Sequence, residues 1–424
     1  MSLHDRLNTL RRQAGAGAPA EPGAAPASEA APEQSSGPSS GPSSGDERAA
    51  TLAQLRARLD RMGVGGTGRS QAAREPAPRI SPAELAGQLQ GRLLDAHLVE
   101  IDRRLAPERA HGRYPLALAQ EGAGPFWPDA ARVGYIDTET TGLAGGTGTV
   151  AFLVGLATVE DGALRLRQWL MTAFAGEAAL LQAVDEALAG CEHLVSYNGK
   201  TFDLPLLRDR RRMQRRPDHA EPAHTDFLHP VRSLFGHHWP DCRLRTAEER
   251  LLGLAREDDL PGSEAPWAWK EYLNFGRSHN LQRVVRHNTD DILSLALLGP
   301  VLARALEDPP AFAASVEGGA RLRERLEGPG AARPVLEAGR DHLTDQGRLW
   351  LAREYRRAGA IEQAVALWEP LAEQGQAEAI EALAKYHEHQ RRDWARALDY
   401  ACRLGPAPEV QRRCARLRQR LARA

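Results

Sequence analysis

Asp137 and Glu139 stand two residues apart at the end of the apolar run Val133-Gly-Tyr-Ile-Asp-Thr-Glu. In a strand, residues i and i+2 point to the same face, so this spacing predicts two carboxylates projecting together. Like charges held that close repel unless a cation sits between them, and oxygen ligands suit a hard divalent ion such as Mg²⁺ or Mn²⁺. A third acid, Asp203, follows Asn198-Gly-Lys-Thr-Phe, where a short apolar run gives way to a helical pattern. A fourth, Asp291, ends His287-Asn-Thr-Asp-Asp. Spacing of four places His287 and Asp291 on one helical face and turns Asp290 about 100° away. Each fragment alone has an ordinary reading: a solvated pair, a helix-capping Asp, a surface histidine. Their order along the chain predicts metal-dependent phosphodiester chemistry.

The elements that must position these residues are readable from periodicity. Strands are expected from Val133 to the two acids, over Val150–Val159 and over Leu164–Thr172, the last two joined by the turn Asp161-Gly162. A helix over Glu177–Leu188, a strand over His193–Tyr197, a helix over Phe202–Met213 and a strand over His224–Leu228 follow. Helices are then expected near Leu244–Leu252, Trp267–Asn274 and Asn288–Leu306. The order predicts an α/β domain with a mixed five-stranded sheet flanked by helices, as in ribonuclease-H-like folds.

The acid motifs carry a family resemblance. Tyr135-Ile-Asp-Thr-Glu-Thr-Thr-Gly-Leu, Tyr197-Asn-Gly-Lys-Thr-Phe-Asp-Leu-Pro and His287-Asn-Thr-Asp-Asp-Ile-Leu-Ser-Leu resemble the DEDD superfamily of 3′–5′ exonucleases, and within it the bacterial YprB-like ribonuclease-H-like proteins. Cys242-Arg-Leu and Arg256-Glu-Asp-Asp-Leu-Pro-Gly belong to the same likeness, which runs from about Ile80 to Leu306. The resemblance implies that Asp137, Glu139, Asp203 and Asp291 hold two Mg²⁺ or Mn²⁺ ions, and that Thr140, Gly142 and Leu143 contact the terminal nucleotide. Two ions about 4 Å apart activate a water and stabilise the leaving oxygen. His287, with an ordinary pKa near 6.5, is suited to take the water's proton. It stands four residues before Asp291, the tyrosine-type spacing of that superfamily, where histidine-type members use five. General base and orienting group therefore stay open for it. Lys200 reads equally as a phosphate contact or an exposed loop lysine, and Asn198 as a turn residue or a substrate contact. Asp226 reads as a support for the acids or as a cap. Gly145-Gly-Thr-Gly148 lacks the spacing of a phosphate loop and reads as a hairpin turn.

Across 424 residues, Lys+Arg 55 balance Asp+Glu 56, for a net charge of −1, which excludes a polybasic protein. Only three lysines occur, so arginine supplies nearly all the positive charge. Its densest runs, Arg208 to Arg216 and Arg412 to Arg423, are expected to be either solvated helix faces or phosphate-binding patches. Four cysteines without a C-x-x-C pair, no long apolar run and a start without a signal-peptide core predict a cytoplasmic chain with no membrane contact. Residues 1–79 are expected to be largely disordered, with short helices around Leu3–Leu10 and over Ala53–Met62, because Ala14 to Gly45 contains only Ala, Gly, Pro, Ser, Glu and Gln. Residues 80–310 form the ribonuclease-H-like domain. Residues 318–424 are expected to form a tetratricopeptide-like helical domain on the spacing of Tyr355, Ala364, Trp368 and Pro370, with a poorer copy around Tyr386 and Ala397. Such a tail offers a surface for a protein partner. The reading that emerges is a 3′–5′ exonuclease acting on DNA or RNA, with a structure-selective endonuclease or a nucleic-acid-binding scaffold as alternatives.

Overall fold

The computed structural model describes residues 79–127, 132–142, 148–217, 222–256 and 259–423, and Pro76–Ala424 form one compact unit. The expectations for the N-terminal region, for Leu143 and for the turn at Gly145–Gly148 fall outside or largely outside the described residues. A capped helix α1 (Pro82–Gln88) leads into strands β1 (Arg92–Asp95) and β2 (Leu98–Leu105). A small ribbon, β3 (Ala110–His111) and β4 (Tyr114–Pro115), follows. The main sheet continues with β5 (Val133–Thr140), β6 (Ala151–Glu160), β7 (Ala163–Met171), β8 (His193–Ser196) and β9 (Ala223–Asp226).

The sheet has seven strands in the order β1-β2-β7-β6-β5-β8-β9. The five expected strands are present, and the hairpin β1–β2 extends the sheet beyond β7. That extension corrects the five-stranded expectation. β5 pairs antiparallel with β6 and parallel with β8, which itself pairs parallel with β9. The β6–β7 turn has the expected form: Asp161 and Gly162 both have positive φ, 45° and 73°, as a two-residue hairpin of the right twist requires.

Neighbouring residues of β5 enter opposite cores. Tyr135 joins the cluster with Trp127, Phe227 and Leu298, while Ile136 joins the one with Leu181, Trp269 and Leu281. Helices α2 (Glu177–Leu188) and α3 (Asp203–Met213) connect the parallel strands; α4 (Leu228–Phe235), α5 (Leu244–Ala247) and α6 (Ala265–Phe275) follow. The long helix α7 (His279–Glu307) crosses β5 and β6. It begins nine residues before the expected start, so His287 lies within the helix and not at its edge. Gly155 of β6 makes the crossing possible, since a Cβ there would lie 2.2 Å from Ile292 Cδ1 and 2.3 Å from Asn288 Oδ1.

Beyond α7 the chain is helical: α8 (Val316–Glu327), α9 (Ala332–Ala338), α10 (Asp345–Arg357), α11 (Ile361–Glu373), α12 (Ala377–Tyr386), α13 (Trp394–Cys402) and α14 (Pro408–Leu421). Each packs on the next around its own core, which includes Tyr355, Ala364 and Trp368. α8 sits close on α4, with the Ser315 N–H donating to Leu234 O at 2.8 Å. Cys402 ends α13 and Cys414 lies in α14. The turn between α13 and α14 brings their free thiols to 3.5 Å. No described helix is long and apolar enough to cross a membrane.

Candidate active site

The end of β5, the start of α3 and the second turn-set of α7 meet at one place. β5 delivers Asp137 and Glu139 on the same face, as i and i+2, and Glu139 is buried. Asp203 enters from the first residue of α3. His287 and Asp291 enter from one face of α7, with side chains 16% and 15% exposed. Thr138 also reaches the site, its hydroxyl donating to Asp203 Oδ1.

The turn that presents Asp203 is built by Asp226. This acid, 5% exposed, accepts the backbone N–H groups of Asn198 (2.7 Å), Lys200 (3.0 Å) and Leu228 (3.0 Å). Asn198 adopts φ 65°, a left-handed conformation that asparagine tolerates, and its side-chain oxygen accepts from Thr201. Both residues thus shape the loop. Gly199 fits beneath it: a Cβ there would lie 2.4 Å from Ser196 Oγ and 3.0 Å from Asp203 Oδ2.

Asn288 fixes Asp137. Its Nδ2 donates to Asp137 Oδ2 at 2.7 Å, while its Oδ1 accepts from Gln168 Nε2 at 2.8 Å. Gln168 lies opposite Gly155 in the β6–β7 register, so the glycine and the glutamine together seat this amide. On the far side, His287 Nδ1 lies 2.7 Å from Asp259 Oδ1, and His287 Nε2 lies 3.7 Å from Asp291 Oδ2. Arg256 completes the site. Its Nη2 donates to both Asp291 Oδ1 and buried Glu248 Oε1, and its Nη1 lies 3.2 Å from His287 Nδ1.

The electrostatics follow from this crowding. Burial drives the Asp137 carboxyl well above the usual range, and repulsion from Asp291, Asp203 and Glu139 adds to it. Glu139 is pushed up to about 8, chiefly by burial, with the His287 charge opposing and Asp291 and Asp203 adding. Asp203 is pushed up to about 6 by burial, against the Thr138 hydrogen bond. Burial would lower His287, but the charges of Asp291 and Glu139 and the Asp259 contact outweigh it and raise its pKa.

These acids feel one another's charge, yet among the described residues no three His, Cys, Asp or Glu side chains converge to grip an ion. Asp291 is turned onto Arg256 instead. The donor set nevertheless fits a hard divalent cation. Asp137, Glu139 and Asp203 offer oxygen ligands, and among the described residues none of the three has an arginine or lysine partner.

Other expected residues are placed differently. The Thr140 hydroxyl donates to Gly142 O at 2.8 Å, a local turn contact. Lys200 lines a separate cavity of about 790 Å³ with Leu188, Leu204 and Leu207, whose walls include none of the four acids. Several arginines of the two runs, expected as solvated helix faces or phosphate-binding patches, hold acids of the fold. Arg210 holds Glu177, Arg211 and Arg216 hold Asp185, and Arg413 and Arg416 hold Glu388. Sequence reasoning assigned no role to Thr138, Glu248, Arg256, Asp259 or Asn288. Arg256 lay in a motif already quoted, but no spacing rule ties a loop arginine to an acid 35 residues later. Phe202, 55% exposed immediately before Asp203, was likewise passed over.

Residues 134–303 match the family model of the RNase_H superfamily. The curated "Uncharacterized protein YprB" of Bacillus subtilis (strain 168) is 32% identical over 281 residues, covering 63% of this chain and 67% of the relative. Among solved structures, a family B DNA polymerase from the hyperthermophilic archaeon Pyrobaculum calidifontis overlaps 72% of this chain at 14% identity and a TM-score of 0.35. The chain spans 39% of that polymerase, a likeness too distant to carry an argument.

Proposed function

The chain belongs to the RNase_H superfamily, and from that membership we propose that it is a divalent-metal-dependent nuclease, a 3′–5′ exonuclease using two Mg²⁺ or Mn²⁺ ions. The observation that carries the reading is the meeting of Asp137, Glu139, Asp203 and Asp291 from three elements, three of them with carboxyl pKa values raised by burial and by one another's charge. Asp137, Glu139, Asp203 and Asp291 would hold the ions. When bound, such ions supply Lewis acidity at the phosphate and make water a competent nucleophile near neutral pH.

The remaining work falls to the chain's own groups. Asn288 holds Asp137 in one orientation, and Thr138 does the same for Asp203. Beside a carboxylate, His287 Nδ1 carries the hydrogen and donates it to Asp259, which leaves Nε2 to accept a proton on the side of Asp291. Phe202 offers an exposed ring next to Asp203 on which a base can stack, a contact that tolerates any sequence. The 3′–5′ polarity is supported by the motif resemblance, and the helical tail is proposed to meet a partner or to guide substrate.

Single-stranded DNA and RNA oligonucleotides labelled at the 5′ end test the reading, with Mn²⁺ or Mg²⁺ and with chelator and Asp137→Ala controls. The expected result is a metal-dependent ladder shrinking from the 3′ end and absent in the variant. Internal cuts would replace the exonuclease with an endonuclease, and binding without cleavage would overturn the enzyme.

A further inference from the structure

Arg256 has a contact the reaction does not explain. Its guanidinium is 6% exposed and faces three acids, with Nη2 donating to both Glu248 Oε1 and Asp291 Oδ1 and Nη1 lying 3.7 Å from Asp259 Oδ2. Glu248, on the wide helical turn Glu248–Leu252, is 1% exposed, and its Oε1 also accepts from the Ser294 hydroxyl. Ser294 in turn pairs with buried His111 Nε2 at 2.8 Å. Glu248 therefore sits on a fixed base.

Two atoms in this arrangement are left over. Glu248 Oε2 and Arg256 Nε are buried, and neither has a hydrogen-bond partner among the described residues. An arginine and a carboxylate facing each other normally use both pairs of atoms in a two-pronged contact. With Nη2 shared between Glu248 and Asp291 that second pair is not made, and leaving such atoms unpaired costs free energy. The Arg256–Asp291 contact thus leaves a fuller pairing with Glu248 unmade and places a fixed positive charge on an acid whose other cationic neighbour, His287 Nε2, lies at 3.7 Å.

We infer that Arg256 is the resident counter-ion of Asp291, that it competes with a divalent cation for this carboxylate, and that it withdraws into a two-pronged pairing with Glu248 when the cation binds. Arg256 is on this account a positioning residue, and Glu248 is its parking place. The metal-free site is kept from collapsing or repelling itself apart, and the ion must displace a guanidinium to complete its ligand set. This inference rests on the proposed function only in requiring that the acids take a divalent ion.

Calorimetric titration of Mn²⁺ into the full chain tests it without reference to cleavage. Removing a positive charge beside a bound cation removes a repulsion, and a gain of about tenfold or more in affinity is the expected scale. Arg256→Gln is expected to bind Mn²⁺ at least tenfold more tightly than the wild type, while Arg256→Lys, which keeps the charge, stays near the wild type. Because Arg256→Gln strands Glu248 in the interior, the double variant Glu248→Gln/Arg256→Gln is measured beside it and is expected to show the same gain. Equal or weaker Mn²⁺ binding in a folded Arg256→Gln or double variant would overturn the competition. Wild type and variants all failing to bind Mn²⁺ would overturn the metal-site reading and this inference with it, an outcome told apart by the silent wild-type titration.

Discussion

The helical tail and the end of β5 both bury acids, and they treat them differently. In the helical tail, Glu388 has a fully buried side chain, and Arg416 grips both of its oxygens, with Arg413 at 3.6 Å and Arg420 at 3.9 Å beyond. Glu177 and Asp185 on α2 are likewise held by Arg210, Arg211 and Arg216. At the end of β5, by contrast, Asp137, Glu139 and Asp203 crowd together with no such partner among the described residues. In a chain where arginine dominates the positive charge, a buried acid without one is the exception. The paired acids are structure, since a buried ion pair consumes its own charge. The unpaired ones have pKa values raised by burial and by one another's charge, the kind of perturbation that marks a candidate site.

The comparison can be broken most sharply by removing one acid from each region. Asp203→Asn should lower metal-dependent cleavage by ~10³-fold or more, above 4 kcal/mol of barrier, while the protein stays folded in chelator. Glu388→Gln should leave cleavage unchanged and lower stability by ~1–3 kcal/mol, read from denaturant unfolding, because its arginines lose a charged partner. If Glu388→Gln silenced cleavage as Asp203→Asn does, the division between the two regions would fall.

Within the site, the histidine sharpens the contrast. His287→Asn should reduce kcat by ~10²-fold with Mn²⁺ affinity retained, the size expected of a lost general base. The acid limb of the pH–rate profile should move with it; near-normal turnover would leave His287 an orienting group. A smaller effect is expected from Phe202→Ala: a rise in KM equivalent to ~1–3 kcal/mol, with kcat held, measured on single-stranded substrate. No change in KM would remove the stacking platform.

The sequence disclosed what local periodicity can carry. The two acids of β5, the helix-start acid Asp203 and the His287–Asp291 pair are each visible within seven residues, because strand and helix geometry dictate their faces. β1 escaped notice because Arg92–Asp95 is exposed along its whole length and shows no alternation. The first turns of α7 escaped because His279 to Arg286 is mostly polar, with only Leu281, Val284 and Val285 buried. The supports of the site come from far away in the chain. Gln168 meets Asn288, and Arg256 meets Asp291, through folding alone. The same holds for the arginine runs, several of whose members find partners on α2 and at Glu388 that no local pattern announces.

The melting temperature of the wild-type chain across about pH 4 to 8, in chelator and in Mn²⁺, tests the central claim most directly. Glu139 and Asp203 ionise in the fold only near about 8 and about 6, above their ordinary values of 4.5 and 3.8. Groups so raised cost nothing while protonated, and stability is lost as the pH rises through the folded-state values. The account predicts a melting temperature that falls with rising pH in chelator, and Mn²⁺ that removes the fall by supplying the missing charge. A curve that is flat in chelator, or one that Mn²⁺ leaves unchanged, would contradict it.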